Sequence, residues 1–254
     1  VSGYITQIQE ALDQLLDAKH DALPSGFKKT RFSENCKAYL RDVIGIEKAN
    51  IDDVVLALFK GAVLGLDFFA KECHVIVEGG VAKFQTDYKG EMTLVKRHSV
   101  RPILDIYAKN VREGDDFREE IKEGIPLIHF NPVSFNNSPI VGTFAVALFH
   151  DGGMVYETMP AEEIEQIRQH YGKNPGSDTW EKSQGEMYKR TVLRRLCKTI
   201  ETDFDTEQSL AYEAGSAFEF TRAPRPQQRS PFNPIEPEEG EVVSDEGTPE
   251  TDEG

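Results

Sequence analysis

Two glycine pairs restrict this chain more than any other feature. Glu78-Gly79-Gly80 lies between the β-forming runs Cys73 to Val77 and Val81 to Gln85. Asp151-Gly152-Gly153 lies between Gly142 to Phe149 and Met154 to Thr158. A tight loop with glycine at its centre reverses the chain and pairs its flanks antiparallel. Two such loops, about seventy residues apart, point to antiparallel sheets and away from a repeating βαβ fold.

Helical periodicity fills the space around them. Tyr4 to about Ala18 carries Ile5, Ile8, Leu12, Leu15 and Leu16 at helical spacing, and Leu23-Pro24-Ser25-Gly26 ends it. Ser33 reads as the N-cap of a helix with Cys36, Tyr39, Leu40 and Val43, stopped by Gly45. Asn50 reads as the cap of a helix over Ile51 to Leu64 that is apolar almost all round, hence buried. Asp87 opens another over Tyr88 to His98. Pro102 to Val111 alternates as a strand, with Ile103, Asp105, Tyr107 and Lys109 on one face and Leu104, Ile106 and Ala108 on the other. Phe117 and Pro126 to Phe130 suggest a further strand after a charged turn. Pro160 starts a helix over Ala161 to Tyr171, and Ser177 or Asp178 caps a last one running to about Thr199. The expected class is α+β: a mainly antiparallel sheet with packed helices.

Charge divides the chain unevenly. The net charge is −15 over 254 residues. Residues 221–254 hold three arginines and nine acids, and residues 201–220 hold six acids and no base. Residues 1–200 therefore carry only −3. Six of the 13 prolines fall after Thr221, where large apolar residues almost vanish. Such a segment buries too little surface to offset its ordering entropy. The expected organisation is a folded domain over 1–205 and an acidic, mostly disordered tail over 206–254.

Several classes are excluded. The longest apolar-rich stretch, Val54 to Phe69, is interrupted by Lys60 and Asp67, so no transmembrane helix is expected. The N-terminal residues lack the basic and apolar regions of a secretory signal. Cys36, Cys73 and Cys197 are odd in number and widely spaced, which suits a reducing cytoplasm and disfavours a disulfide scaffold or a zinc site. No phosphate-binding glycine loop, zinc-protease motif or serine-nucleophile motif occurs.

Basic residues cluster twice. Residues 182–198 contain six bases and one acid. On a helical projection Tyr188, Val192, Leu193, Leu196 and Ile200 cover one side, while Arg190, Arg194 and Lys198 follow one another on the opposite side beside Arg195. Lys189 falls within the apolar sector, where its stem must snorkel. Stacked cations repel one another, so a polyanion is the natural counterpart, and guanidinium forks suit phosphate. The competing reading is an ordinary solvated helix face. The second cluster is Lys89, Lys96, Arg97 and Arg101. There Tyr88, Lys89 and Gly90 offer a ring, a cation and a close backbone approach for a stacked nucleotide; a half-buried tyrosine among surface lysines is the plainer alternative. Asp105 followed by Glu120-Ile121-Lys122 matches the acid and Glu-x-Lys of metal-dependent nucleases, but Arg112 to Glu123 reads more simply as a charged, exposed turn.

The order of these segments resembles the RecT/Redβ superfamily of phage-type single-strand annealing proteins, in its RecT branch. The resemblance runs from Leu23-Pro24 through Leu64-Gly65-Leu66, Asp87-Tyr88-Lys89-Gly90 and Leu94-Val95-Lys96-Arg97. It continues with Val111 to Phe117, Pro126 to Pro132, Gly142 to Val146, Met159 to Ile167, Trp180 and Glu186 to Lys198. It implies ATP-independent binding of single-stranded DNA and annealing of complementary strands through a duplex intermediate, in phage-type homologous recombination. It also implies a non-enzymatic protein with no metal or cofactor, located in the cytoplasm of a bacterial host. Expected partners are further copies of the chain in rings or helical filaments, a phage exonuclease and a host single-stranded DNA-binding protein. The DNA-contacting set expected is Tyr88, Lys89, Lys96, Arg97, Lys189, Arg190, Arg194, Arg195 and Lys198. Two other functions fit the same clusters: a non-annealing coat for single-stranded DNA, and the metal-dependent nuclease.

Overall fold

The computed structural model describes residues 2–171 and 182–216. Seven α-helices and seven strands are present among them: α1 (Ser2–Ala18), α2 (Lys29–Leu40), α3 (Ile51–Val63), β1 (Cys73–Glu78), β2 (Val81–Thr86), α4 (Tyr88–His98), β3 (Ile103–Arg112), β4 (Asp116–Lys122), β5 (Ile125–Asn131), β6 (Ile140–Phe149), β7 (Met154–Pro160), α5 (Ala161–Tyr171), α6 (Gln184–Cys197) and α7 (Thr206–Ser216). All strand pairs are antiparallel: β1 with β2, β4 with β5, and a three-stranded sheet in the order β3-β6-β7. The class is α+β, as the glycine pairs and periodicities require. None of the described helices is long and apolar enough to cross a membrane.

The glycine turns do what they are placed to do. Gly79 and Gly80 both have positive φ (59° and 83°), the conformation a two-residue hairpin loop demands. Asn50 caps α3 by accepting a hydrogen bond from the Asp52 amide at 2.8 Å, and Asp87 caps α4 through the Lys89 amide at 3.3 Å. Ser33 is not a cap. Helix α2 begins at Lys29, and Ser33 lies inside it, buried beside Phe32 and Cys36. The charged stretch Arg112 to Glu123 is not one turn either. It contains β4, bounded by a turn at Gly114 and a second at Glu123-Gly124, where both residues have positive φ. A cap at Ser177 or Asp178, and the segment after Thr221, lie outside the described residues.

Three apolar clusters hold the chain. The first joins α1, α2, α3 and the β1–β2 hairpin, with Ile8, Leu12, Leu58, Phe68 and Phe84 at its centre. Helix α7 closes it: Gly215 lies so near Phe84 that a Cβ would overlap the ring. The second lies between the β3-β6-β7 sheet and the helices α4, α5 and α6. Strand β6 presents Ala145 and Ala147 to those helices, and side chains this small let α6 lie close to the sheet, with Tyr188, Val192 and Leu196 packed down. The third occupies the opposite face of the sheet, where Phe144 and Val146 meet Phe117, Ile128 and Phe130 of the β4–β5 hairpin. Cys36, Cys73 and Cys197 are free thiols buried in the first two clusters.

Candidate nucleic-acid interface

Helices α4 and α6 lie side by side, and their facing charges are in register. Asp87 and Glu91 are four residues apart, as are Arg190 and Arg194. The Asp87 carboxylate pairs with Arg190 at 3.1 Å, and Glu91 pairs with Arg194 at 2.9 Å. One ion pair per helical turn therefore ties the two helices together.

The rungs differ in environment. Burial alone would raise the Asp87 carboxyl, yet the neighbouring His74 ring, the Arg190 charge and the Lys89 amide together hold it below its ordinary value. His74 Nε2 stands 3.7 Å from this carboxylate. Glu91 and Arg194 both have fully buried side chains. Burial raises the Glu91 carboxyl in spite of Arg194, the Thr86 hydroxyl at 2.8 Å and the nearby Lys198 charge.

This arrangement corrects part of the expected DNA-contacting set. Arg194 is at 0% exposure and belongs to a core ion pair, so no phosphate reaches it. Helical projection places Arg190, Arg194 and Lys198 opposite the apolar stripe correctly. That side of α6 faces α4, however, and Arg194 finds its anion inside the protein. Lys198 is exposed and donates to the Ser216 carbonyl at 2.9 Å. Arg195, on the other flank of the row, is held by Glu157 at 2.7 Å and by Glu163. Lys189 is half-buried and pairs with Glu186 one turn away.

The cations of α4 are more accessible. Lys89, Lys96 and Arg97 are exposed. Lys96 stands 4.0 Å from Asp105, and Arg97 donates to the Gly65 carbonyl at 3.2 Å. Tyr88 is half-buried against the second core, and the Arg190 guanidinium lies 5.7 Å from its ring centroid. Gly90 lets α4 approach the Glu72 carbonyl, which also accepts the Asp87 amide at 2.8 Å. Tyr88, Lys89, Arg190 and Asp87 thus form one group at the start of α4, and Lys96 and Arg97 extend it to the other end.

Sequence reasoning missed Asp87, Glu91 and His74 as members of this site. The signal was present: two acids at i, i+4 on one amphipathic helix and two arginines at i, i+4 on another. The carboxylates of the nuclease-like motif are engaged separately. Glu120 pairs with His129 at 3.1 Å, and Asp105 lies against Lys96. Among the described residues, no group of three or more His, Cys, Asp and Glu is placed to hold a metal ion.

The family model of the RecT family matches residues 30–227, which takes in every element from α2 to α7. The chain belongs to the RecT family. It is also similar to Protein RecT of Escherichia coli (strain K12), with 31% identity over 126 residues, a stretch that covers 50% of this chain and 45% of that relative. The match to the curated relative thus spans less than half of its length. The local geometry decides which cations of the α4–α6 pair are accessible. In this RecT-family chain, those of α4 are.

Proposed function

We propose that this chain binds single-stranded DNA along the outer face of α4 and the adjoining edge of α6, and anneals complementary strands without ATP. The observation that carries the reading is the row of exposed cations on α4, Lys89, Lys96 and Arg97, on a chain that belongs to the RecT family. Arg190 above Tyr88 adds a ring and a fork at one end of that row. Phosphate neutralisation drives such binding, and aromatic faces hold unpaired bases without selecting among them.

The acids strengthen the argument for annealing over tight coating. Arg190, Arg195 and Lys189 each have a carboxylate partner in the chain. A phosphate must compete with that partner, so binding is reversible and bases are released to pair. In this reading the protein works as a homo-oligomer, a ring or helical filament, because a body of some 200 residues spans few nucleotides. It acts in phage-type recombination inside a bacterial cell, beside an exonuclease and a host single-stranded DNA-binding protein. The annealing body is assigned to residues 1–205 together with helix α7 (Thr206–Ser216), which packs on the first core, and the acidic residues beyond Thr221 are dispensable for annealing.

Mixing two complementary oligonucleotides tests this directly. Faster duplex formation without ATP is the expected result. Protection without acceleration indicates a coat protein, and magnesium-dependent shortening indicates a nuclease; either rejects annealing. The triple variant Lys89→Ala, Lys96→Ala, Arg97→Ala should flatten the slope of log affinity against log salt by roughly 0.7 per lost contact. An unchanged slope in the folded variant removes α4 from the interface.

A further inference from the structure

Phe135 is the one large apolar side chain at 100% exposure among the described residues, and its backbone is in the left-handed region at φ 56°. Both features oppose stability, since a bulky residue disfavours that conformation and an exposed ring gains nothing from burial. The loop that carries it, between β5 and β6, is nevertheless firmly built. The Asp115 carboxylate accepts from the Val133 amide and the Asn136 side chain, each at 2.9 Å, and from the Arg112 amide at 2.8 Å. Asn136 also donates to the Glu113 carbonyl at 3.0 Å and accepts from the Ser138 amide at 2.9 Å. Arg112 donates to the Ser138 carbonyl at 2.5 Å. A rigid support that holds a strained, fully exposed aromatic ring has the form of an interface anchor.

The same chain carries a socket. Between the outer face of the β3-β6-β7 sheet and the β4–β5 hairpin lies a groove of about 500 Å³, lined by Tyr107, Ile128, Phe130, Phe144, Val146 and Met154. Asp105 and Lys109 flank it on β3, and Lys96 stands beside Asp105. Charge favours this pairing: Glu113 and Asp115 stand at the base of the Phe135 loop, where Asp115 binds the Val133 amide and Asn136, and Lys109 lines the groove.

We infer that Phe135 of one copy seats in the sheet–hairpin groove of the next, so that copies associate head to tail. The two surfaces differ, which makes the contact heterologous; repetition gives a closed ring or an open helix. The inference rests on the assembly part of the proposed function and supplies its interface. It puts the α4 faces of successive copies in a fixed repeat, as a continuous DNA path requires.

Three proteins test it, followed by light scattering and sedimentation with and without poly(dT): wild type, Phe135→Ala, and the groove variant Met154→Glu, with Lys109→Glu as an exposed alternative that leaves the core intact. Wild type should assemble. Phe135→Ala should melt no lower than wild type and associate at least about tenfold more weakly, as expected when an interface anchor is removed. The groove variants should fail likewise. Phe135→Ala mixed with a groove variant retains one functional contact and should give dimers and nothing larger. Assembly of Phe135→Ala at wild-type concentration overturns the inference, as does the absence of dimers in the mixture. Loss of affinity for a short oligonucleotide in Phe135→Ala also overturns it, since the ring then contacts DNA. A wild type that stays monomeric on poly(dT) instead rejects the assembly reading itself.

Discussion

Replacing Arg194 with Met separates the structural role of this residue from a DNA-contacting one. Methionine fills a comparable volume with a flexible apolar chain, so the change chiefly removes charge. Glu91 then sits in the core with Thr86 and the more distant Lys198 in place of its ion-pair partner. Breaking a buried pair in this way costs about 3–5 kcal/mol. At roughly 2–4 °C per kcal/mol for a domain of this size, the melting temperature should fall by about 6–20 °C at neutral pH. The pH dependence has a definite sign. Burial already raises the Glu91 carboxyl in the folded protein, and removing Arg194 raises it further. A carboxyl whose folded value exceeds its unfolded one contributes fully below the unfolded value and loses that contribution as pH rises through the folded value. The deficit of Arg194→Met should therefore be largest near pH 7.5 and shrink toward pH 5. Adding Glu91→Leu removes the orphaned charge and should restore most of the loss, because a well-packed apolar pair can match a buried ion pair. Thermal and urea unfolding at the two pH values, with a salt titration of DNA affinity on the folded double variant, make the measurement. A single variant that melts like wild type but loses salt dependence would refute the core assignment and return Arg194 to the DNA.

Asp87→Asn keeps a good helix cap while releasing Arg190, so affinity for single-stranded DNA at low salt should rise; weaker binding would show that Asp87 orients Arg190 for phosphate. Because the Asp87 carboxyl is held below its ordinary value, its stabilising contribution is present above about pH 4 and is lost as pH falls through the lower folded value; Asp87→Asn should lack that part of the acid-unfolding limb seen in wild type. Gly90→Ala puts a Cβ into the Glu72 carbonyl and should destabilise the fold by roughly 1–3 kcal/mol, readable as a lower urea midpoint at unchanged m; a neutral result would mean that α4 and the Asp67–Glu72 loop shift apart freely.

The elements that the sequence discloses are those with a strong local signature. Helices α1, α3 and α4 carry apolar residues at helical spacing, two of them behind a capping Asn or Asp, and both glycine-pair hairpins fall where their turns require. Strand β4 lacks such a signature: of its residues only Phe117 and Ile121 are apolar, and most of the strand is exposed. Its pairing is fixed by β5 and by the Glu123-Gly124 turn. Helix α7 escapes for a related reason, since its buried side is made of Ala211, Gly215 and Ser216 in place of large apolar residues. The interface was half legible. Periodicity sorts the residues of α6 into two sides correctly, but which neighbour faces each side depends on tertiary packing. Arg194 and Lys89 look alike in sequence; one is buried against Glu91 and the other is exposed.

Helix α4 separates the first two cores and belongs to both. Leu94 and Val95 are consecutive and each is at 0% exposure, yet Leu94 packs with the α1–α3 cluster and Val95 with the sheet-side cluster. Successive side chains leave a helix about 100° apart, so adjacent residues can serve separate interiors. A wall common to two rooms cannot be taken down from one side alone. The amides of α4 should therefore exchange with solvent only when both cores open, in step with global unfolding. A pull on DNA bound, as proposed, to its outer cations would likewise be delivered to two interiors at once, where a helix lying on the surface would peel away.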